Sequence, residues 1–401
     1  MPGVKHPYPV LIMEKHKNTP QLRFPYFEGE WKEMRLEKLF SEFQSGFGIT
    51  SEYITEQGEY PVFGGNGLRG FTNKYTHDGF FLLIGRQGAL CGNINRSYGK
   101  AYISEHAIAC QANESSDTEW LAQRLDYYNL NRLSESSAQP GLSVKKLLRF
   151  KLIIPSLLEQ QKIASFFTAI DQKISQLKQK KTLLEQYKKG VMQKIFSQEI
   201  RFKDENGQEF PKWERKKLGD VFAEITESVG DREVPTYSIT AGIGFVSQKE
   251  KFGRDISGQQ NHKYTIVDHE QFSYNKGNSK TYHYGCIYIN DTGRQIAVPN
   301  VFISFKMIDN NMSSRFFFRL FESHYLDKEL RRIISSSARM DGLLNVNKNW
   351  FFKLKIPCPT YFEQHKVGDF FYAMEGKINH IQKQIEKAEV WKKGLMQQMF
   401  V

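Results

Sequence analysis

The chain has 401 residues, of which 40% are hydrophobic and 25% charged, a composition typical of a folded protein with about two or three domains. Its formal net charge of +12 favours a polyanionic partner such as nucleic acid. Four scattered cysteines without a C-x-x-C pair argue against a zinc site or a disulfide framework, and no apolar run approaches the roughly 20 residues of a membrane span, so a cytoplasmic protein is expected.

The first predicted element is a lead-in segment that occurs twice in the chain. Arg23-Phe24 precedes Trp31, and the same arrangement recurs as Arg201-Phe202 before Trp213. Internal repetition of this kind is the sequence signature of a duplicated framework. Residues 1–19 have no second copy and are interpreted as a leader that is expected to be disordered.

Residues 45–135 follow the first lead-in segment and predict a region of short strands and glycine-rich turns. The turns are rich in arginine, asparagine, glutamine and lysine, the side chains that hydrogen-bond base edges or contact phosphates. Ordinary loop polarity explains each of them singly, so the hypothesis of a DNA-binding surface depends on the group. The candidate DNA-binding residues of this region are Asn66, Arg69, Lys74, Arg86, Gln87, Asn93, Asn95, Arg96 and Lys100.

Within this region, Gly65–Gly70 spells the G-x-G-x-x-G pattern of dinucleotide-binding proteins. Such a site needs a helix directly after the glycines, because the helix N-terminus faces the pyrophosphate. The residues that follow, Phe71–Tyr75, predict a strand or a loop instead. We therefore reject a cofactor site at this position.

Residues 159–196 predict one long helix with a coiled-coil seam. Apolar residues recur every seven positions from Ile163 to Val191, and a second row lies four positions behind them, interrupted by Lys181 and Lys188. A seven-residue repeat of this length is typical of coiled-coil packing. Since a single helix would leave the seam exposed, a partner helix is expected.

Residues 225–335 predict a second region of strands and turns, with no detectable similarity to residues 45–135. Both regions are predicted to be mixed α and β. A duplicated framework around two different inserts is the arrangement expected of a scaffold that carries two different working parts. The candidate DNA-binding residues of this half are Lys276, Asn278, Ser279, Lys280, Arg294, Gln295 and Arg339.

The second long helix repeats the first at an offset of 204 residues, and its seam runs from Val367 to Leu395. We expect the two helices to pack antiparallel, because a rotation about a pseudo-twofold axis then relates the two halves of the chain. This arrangement would place the two inserts at opposite ends of the helix pair.

A polar block recurs at the start of each helix and has two interpretations. Two identical partners could dock on two equivalent surfaces, which makes these residues candidates for partner binding. Alternatively, the block is a shared arrangement of the helix start, where glutamate is favourable near the N-terminus. The residues concerned are Glu159, Gln160 and Lys162 in the first copy, and Glu363, Gln364 and Lys366 in the second.

Motifs of the enzymes that act on DNA are absent from the sequence. No Walker-type G-x-x-x-x-G-K-[S/T] occurs, so ATP hydrolysis by this chain is not expected. Pro-Pro is absent, and with it the N-P-P-Y-type loop of adenine methyltransferases; Pro-Asp, part of the commonest nuclease motif, is absent too. The spacing of His106, His262 and His283 suggests neither a metal site nor a triad, so no catalytic or metal-binding residue is assigned.

The repeated blocks resemble those of Type I restriction-modification specificity subunits. The similarity rests on the two lead-in segments and on the two helix starts, where proline precedes Glu-Gln-x-Lys and Phe-Phe. Gly64–Gly67 and Leu83–Arg86 are also similar to one common class of target-recognition domain. The resemblance covers nearly the whole chain from about residue 20.

The periodicity and the resemblance together imply an α+β protein. Two globular mixed α/β target-recognition domains would be separated by two long antiparallel coiled-coil helices, with a pseudo-twofold internal repeat. The expected boundaries are a leader at 1–19, recognition domains at 20–155 and 201–357, and conserved helices at 156–200 and 358–401.

The resemblance also implies a function, that of a DNA-binding adaptor without a catalytic site of its own. Each recognition domain would read one half of a split target. The adaptor would hold two modification subunits, which bring S-adenosylmethionine and flip adenines for N6 methylation. Up to two restriction subunits, with ATP and Mg, would join that core, and no cofactor is expected in this chain.

Two other interpretations remain open at this point. One is a coiled-coil scaffold protein with two unrelated β-rich binding domains, and the other is an intact enzyme with an unrecognised site. Saturating binding to one DNA sequence would separate the adaptor from both of them. Methylation by the isolated chain would support the enzyme.

Overall fold

The computed structural model describes residues 18–134, 140–253, 258–277, 282–309, 311–334 and 344–401, so most of the predicted leader lies outside the described residues. The chain divides into two compact units. Unit 1 consists of the described residues up to Leu177 together with Gln384–Val401, and unit 2 of those from Lys178 to Lys383. In the described part of the chain, no helix is long and apolar enough to cross a membrane.

Unit 1 is built on a six-stranded sheet. Its elements in chain order are β1 (Lys32–Arg35), β2 (Phe40–Ser45), β3 (Tyr60–Gly64), β4 (Gly67–Thr72), β5 (His77–Gly85), β6 (Ile94–Ile103), β7 (Ala107–Ala112), α1 (Thr118–Tyr128), α2 (Val144–Arg149), β8 (Lys151–Ile154) and the first half of α3 (Leu157–Phe196). The strand order of the sheet is β2-β7-β5-β6-β3-β4, with β3 and β6 parallel and the other neighbours antiparallel. β1 and β8 pair separately.

The central strand of this sheet is buried on both faces. In β5 the residues from Phe81 to Ile84 are all buried, so the strand reads as a continuous apolar run instead of an alternating one. Leu83 packs against Ile103 on one side, and α1 contacts the strand as well. Asp117 directly precedes α1, and its side chain accepts a hydrogen bond from the Trp120 N–H and caps the helix.

Unit 2 contains a four-stranded antiparallel sheet with strand order β10-β17-β14-β15, and the pairs β11–β12, β13–β16 and β9–β18 accompany it. Its elements in chain order are β9 (Glu214–Lys217), α4 (Leu218–Val221), β10 (Phe222–Glu224), β11 (Tyr237–Thr240), β12 (Gly244–Ser247), α5 (Gln248–Phe252), β13 (Thr265–Val267), β14 (Phe272–Asn275), β15 (Cys286–Ile289), β16 (Ile296–Val298), β17 (Ile303–Met307), α6 (Ser314–Glu322), α7 (Asp327–Ile333), α8 (Lys348–Phe351), β18 (Lys355–Cys358) and the first part of α9 (Tyr361–Met399).

Phenylalanine rings form much of the core of unit 2. Phe272 and Phe305 stack with their centroids 5.5 Å apart, and Phe222 meets them edge-on at 5.5 and 5.2 Å. All three side chains are buried. Stacked and edge-to-face contacts are the preferred geometries of aromatic pairs, so the high phenylalanine content of the second half is used in packing.

In unit 1 the two long helices run antiparallel. Phe167 of α3 packs against Phe400 at the end of α9, with 5.7 Å between ring centroids. The later residue Asp171 accepts a 2.6 Å hydrogen bond from the earlier residue Lys392. Because residues later in α3 contact residues earlier in α9, the two helices run in opposite directions.

The same direction is found in unit 2. Lys188 of α3 contacts Glu375 of α9 at 2.9 Å, and the later residue Phe196 shares a core cluster with the earlier residue Val367. α3 begins two residues before the predicted helix 159–196 and ends at the predicted residue. The predicted fold class, with two mixed α/β parts and a pair of long antiparallel helices, is confirmed.

In each unit, three aromatic rings pack in a row that runs from the lead-in tryptophan to the end of a long helix. In unit 1, Trp120 of α1 lies 6.2 Å from Trp31 and 6.3 Å from Phe400 between ring centroids. The duplicated framework seen in the sequence therefore corresponds to a duplicated packing arrangement. The matching rings of unit 2 are Trp213, Phe316 and Phe196.

Candidate nucleic-acid interface

Six of the nine residues predicted to bind DNA in the first region lie in or beside two adjacent loops of unit 1. Asn66 is the exposed corner of the turn that joins β3 to β4, and its Oδ1 accepts a 3.1 Å hydrogen bond from Asn93 Nδ2. Asn93 lies in the loop that joins β5 to β6, shortly before Asn95 in β6. Arg86 and Gln87 begin the same loop.

Glycines allow the β3–β4 turn to pack closely against His106 and Asn95. A Cβ on Gly65 would lie 2.7 Å from the carbonyl oxygen of His106, and a Cβ on Gly67 would lie 3.1 Å from Asn95 Oδ1. Gly67 also has a φ of +94°, which residues with a side chain rarely adopt. A larger residue at either position would therefore push the amides of Asn66 and Asn95 apart. The strand β4 that follows these glycines confirms that the G-x-G-x-x-G pattern opens no helix.

His106 holds the start of the β5–β6 loop in place. Its carbonyl oxygen accepts a 2.9 Å hydrogen bond from the Arg86 N–H, and its ring Nδ1 lies 3.2 Å from Gln87 Oε1. The other ring nitrogen lies 3.2 Å from the carboxylate of Glu105. Sequence reasoning gave His106 no role, because no motif links it to Gln87, 19 residues earlier.

The sixth residue of the group, Arg69, lies in β4 and not in a turn. A Cβ on Gly64 would meet the Arg69 Cδ at 2.5 Å, so the stem of the arginine crosses the glycine. The arginine side chain is exposed, as are Asn66 and Gln87. Amide and guanidinium groups therefore converge at one edge of unit 1, where each has the donors and acceptors needed for bidentate contacts to bases.

The three other candidates of the first region are placed differently. Arg96 was expected in a turn, and this expectation is wrong, since it lies in β6 and forms two 2.7 Å hydrogen bonds to Glu119 of α1. Burial alone would lower the pKa of Arg96, but the hydrogen bonds and the charge of Glu119 outweigh it and raise the pKa. Lys100 also lies in β6, with its Nζ 4.7 Å from the centre of the Tyr75 ring. Lys74 is exposed between β4 and β5.

In unit 2, two of the predicted residues make contacts within the unit. Arg294 donates a 2.7 Å hydrogen bond to the hydroxyl of Tyr237, and Gln295 donates one of 2.7 Å to Asp268. The backbone carbonyl of Lys276 accepts a hydrogen bond from the Leu344 N–H. The remaining candidates, Asn278, Ser279, Lys280 and Arg339, lie outside the described residues.

The polar block at the start of α3 is buried and paired within unit 1. Glu159 is 1% exposed and accepts two 2.7 Å hydrogen bonds from the guanidinium of Arg23. Gln160 accepts a 2.9 Å hydrogen bond from the backbone N–H of Asp117 and donates one of 3.0 Å to the Pro155 carbonyl. The block therefore joins the lead-in segment, the start of α1 and the start of α3.

The block at the start of α9 makes the same contacts in unit 2. Arg201 donates hydrogen bonds of 3.1 and 2.7 Å to Glu363. Gln364 accepts a 3.0 Å hydrogen bond from the Ser313 N–H, at the start of α6, and donates one of 2.9 Å to the Pro359 carbonyl. Assembly of each unit thus accounts for the repetition of these residues.

The hypothesis of partner docking through this block assumed that its side chains are exposed. That assumption is wrong for four of the six residues, because they are buried and already hydrogen-bonded: Glu159, Gln160, Glu363 and Gln364. Lys162 is exposed and Lys366 is half-buried. Only these two lysines remain within reach of another molecule.

Both lysines lie beside partly exposed aromatic rings, which we call the aromatic ladder of each unit. In unit 1, Phe166 lies 5.4 Å from Phe24 and 6.3 Å from Trp391, and Lys162 Nζ lies 5.7 Å from the centre of the Phe24 ring. Trp391 is 55% exposed. The ladder of unit 2 contains Phe202 and Phe370, 5.4 Å apart, and Lys366, whose Nζ lies 6.0 Å from the centre of the Phe210 ring. Tyr187, which is 58% exposed, occupies the sequence position equivalent to Trp391.

Among the residues that the structure describes, no group of three or more His, Cys, Asp or Glu side chains is placed to hold a metal ion. In the same residues, the four cysteines are free thiols and buried. Burial raises the pKa of the Cys286 thiol to about 12, so this thiol stays protonated at neutral pH. The candidate recognition surface of unit 1 therefore consists of the amide and guanidinium side chains of its polar loops.

Comparison with known proteins agrees with this arrangement. Residues 28–186 match the family described as Type I restriction modification DNA specificity domain. The chain is 41% identical over 154 residues to the EcoprrI specificity subunit of Escherichia coli, and 30% identical over 147 residues to a putative type I specificity subunit of Mycoplasma pneumoniae. These matches cover 37% and 35% of this chain, and 38% and 40% of the relatives.

The likeness in fold extends further than the likeness in sequence. The crystal structure of the type I restriction-modification S subunit from M. genitalium superposes with a TM-score of 0.63 at 17% identity, over 96% of this chain and 99% of that one. The predicted resemblance to type I restriction-modification specificity subunits is confirmed, and the match to the family of DNA specificity domains lies in residues 28–186.

Proposed function

We propose that this chain is the sequence-reading subunit of a type I restriction-modification complex, with one half of a split DNA target read by each unit. The observation that carries the proposal is the convergence of Asn66, Arg86, Gln87 and Asn95 on two adjacent loops of unit 1. These loops lie within the region that matches the specificity-domain family. The framework of unit 2 repeats that of unit 1 around a different insert.

The chemistry of these side chains suits the reading of base edges. Arginine can form two hydrogen bonds to guanine and asparagine or glutamine two to adenine, each pair being worth about 1–3 kcal/mol of discrimination. The net charge of +12 supplies the attraction for phosphates, which fixes position without reading sequence. Two spaced reading units on one face of DNA require half-sites about 10 bp or more apart between their centres.

The catalytic steps belong to partner subunits in this proposal. Two modification subunits bring S-adenosylmethionine and methylate adenines, and up to two restriction subunits bring ATP and Mg in the cytoplasm. This chain binds no cofactor and contributes no catalytic residue. The two aromatic ladders support the number of modification subunits, because Trp391 and Tyr187 are exposed at equivalent positions of the repeat.

Mapping of methylated adenines tests the proposal directly. DNA is sequenced from cells that express this chain with its modification subunits, and the methylated motif is compared with that of the Arg86→Ala/Gln87→Ala variant. We expect a bipartite motif whose first half becomes degenerate while the second half is unchanged. Arg35→Ala, an exposed arginine on β1, is the matched control and should leave the whole motif intact.

Two results would contradict the proposal. Methylation that is independent of this chain, or that follows a contiguous target of about six base pairs, is incompatible with two spaced reading units. If the chain binds no DNA sequence in preference to others, the coiled-coil scaffold becomes the better interpretation.

A further inference from the structure

Two lysines interrupt the apolar seam of the long helices at equivalent positions. Lys188 of α3 and Lys392 of α9 lie 204 residues apart, the offset of the repeat. Their side chains are only 13% and 23% exposed. A lysine in a seam lowers stability unless its charge is compensated. The presence of a lysine at both equivalent positions therefore needs an explanation.

Each lysine forms an ion pair with the opposite helix. In unit 1, Lys392 Nζ lies 2.6 and 2.8 Å from the carboxylate oxygens of Asp171. In unit 2, Lys188 Nζ lies 2.9 Å from Glu375. Asp171 and Glu375 also lie 204 residues apart. The same lysine–carboxylate pair is therefore formed twice. The lysine belongs to α9 in unit 1 and to α3 in unit 2.

The pair in unit 2 is part of a larger network. Lys188 also lies 3.0 Å from Glu322 of α6, and Arg319 bridges Glu322 and Glu375 at 2.6 and 2.7 Å. Burial alone would raise the pKa of Glu322, but Arg319 and Lys188 together lower it. The seam lysine of unit 2 thus contacts two carboxylates, those of Glu375 and Glu322.

We propose that these two ion pairs select the antiparallel arrangement of the helices over the parallel one. The apolar residues cannot make this selection alone, because both helices carry the same seven-residue seam. A parallel pairing that aligns the two repeats would place Lys188 against Lys392 in the seam. It would therefore oppose two like charges there, whereas the antiparallel pairing places each lysine beside a carboxylate of the other helix.

Charged and polar residues at or beside a seam are known to set register and orientation in coiled coils. The inference goes beyond the reading of DNA, since it concerns how the chain assembles. It holds whether or not the loops of unit 1 contact bases.

Two variants with the same net charge separate selection from simple stabilisation. Asp171→Lys/Lys188→Glu reverses both charges of α3, which opposes like charges in the antiparallel state and places a carboxylate at position 188 against Lys392 in the parallel one. Asp171→Lys/Lys392→Glu exchanges the charges of the unit 1 pair, which stays matched in the antiparallel state. The control Glu185→Lys/Lys180→Glu alters two exposed residues of α3 without changing net charge.

The readouts are the melting temperature and zero-length carbodiimide cross-linking of lysine to carboxylate, followed by peptide mass spectrometry. The wild-type chain should yield links between Asp171 and Lys392 and between Lys188 and Glu375. The α3 reversal should lose both, melt well below the control, and yield a link from position 188 to Lys392. The unit 1 exchange should melt within about 2–4 °C of the control, the shift expected from a small change in stability in a chain of this size.

The proposal is overturned if the two variants melt together, or if the α3 reversal folds without a link between position 188 and Lys392. If the α3 reversal does not fold, the unit 1 exchange tests the proposal in its place. Its folding with the restored 171–392 link supports selection by charge. Failure of both variants overturns the proposal, because position 171 would then be intolerant of change for another reason.

Discussion

Arg23 and Glu159 are joined by two hydrogen bonds of 2.7 Å although 136 residues separate them in sequence. Arg201 and Glu363 repeat this joint in unit 2, 162 residues apart. In both units the carboxylate is buried and the arginine comes from the lead-in segment. The lead-in segment is thereby fixed to the start of a long helix in each unit.

Removal of the arginine from this joint should destabilise unit 1. Arg23→Met leaves the Glu159 carboxylate buried without a partner, and we expect a loss of about 3 kcal/mol in the free energy of unfolding. Arg35→Met, whose side chain is 55% exposed, should change it by about 0.5 kcal/mol or less. Urea denaturation of the two variants measures both values. Equal midpoints for Arg23→Met and wild type would show that the joint carries little stability.

A second prediction concerns the amide that holds the start of α1. Gln160→Ala leaves the backbone N–H of Asp117 without its acceptor, which should lower the free energy of unfolding by about 1–3 kcal/mol. Gln364→Ala should act in the same way on the N–H of Ser313 in unit 2. The neighbouring exposed residue, Gln161, offers the control Gln161→Ala, which should melt as wild type does. A neutral Gln160→Ala would point to a water or another group in place of the glutamine.

The stability of unit 1 should depend on pH through His77. This side chain is buried; burial lowers its pKa, although the nearby carboxylate of Glu42 at 3.3 Å opposes the shift. Since the unfolded chain then binds the proton more readily, stability should fall as pH falls below about 6.5, the ordinary pKa of histidine, towards the lowered pKa of the folded state. Melting curves between about pH 8 and pH 5 should show this slope, and His77→Gln should remove it. A variant with the wild-type slope would assign the effect to another group.

The helices were predictable from the sequence because their signal is local. A seven-residue repeat from Ile163 onwards defines the buried and the exposed face of the helix, and the structure begins α3 only two residues earlier than predicted. The polar block at the helix start was harder to interpret, because burial of Glu159 depends on Arg23, a residue far away in sequence. The charge of Glu159 alone suggested a solvated surface, and only the fold shows that this carboxylate is paired with Arg23.

The recognition surface was predictable in composition but not in geometry. Asn66 and Asn93 were chosen as turn residues, yet nothing in the sequence indicates that one donates to the other. Arg96 and Lys100 were chosen on the same grounds, but they lie in β6. In a single sequence, a polar residue on the exposed side of a strand looks the same as a loop residue. Contacts between strands that are distant in sequence decide which candidates meet.

The two inserts should be exchangeable between relatives, and the structure places the best boundaries. Replacement of residues 46–113 should change only the first half of the recognised target, because α1 and its contacts to Trp31 and Gln160 are retained. Replacement of residues 45–135 also exchanges α1 and should give a less stable chain with the same new half-target. Mapping of methylated adenines for both chimeras measures the outcome. A change in the second half of the target would show that the two units do not read independently.

The last prediction assigns one modification subunit to each aromatic ladder. Trp391 in unit 1 and Tyr187 in unit 2 are 55% and 58% exposed, so substitution by alanine should cost the folded chain little. Tryptophan and tyrosine are enriched among the residues that dominate binding energy at protein interfaces, where truncation costs about 2 kcal/mol or more, roughly 30-fold in affinity. Trp391→Ala should therefore release one modification subunit and Tyr187→Ala the other, each leaving an assembly of one modification subunit and one chain.

Native mass spectrometry of the complex, together with a melting curve, separates docking from folding. Gln160→Ala is the matched control, because it should lower the melting temperature while both modification subunits stay bound. The double variant Trp391→Ala/Tyr187→Ala should leave the chain folded and without either partner. If both single variants keep two modification subunits, the ladders are not the docking surfaces. If one variant releases both subunits at once, the two surfaces are not independent, and the duplicated rings would have to act through a single shared interface.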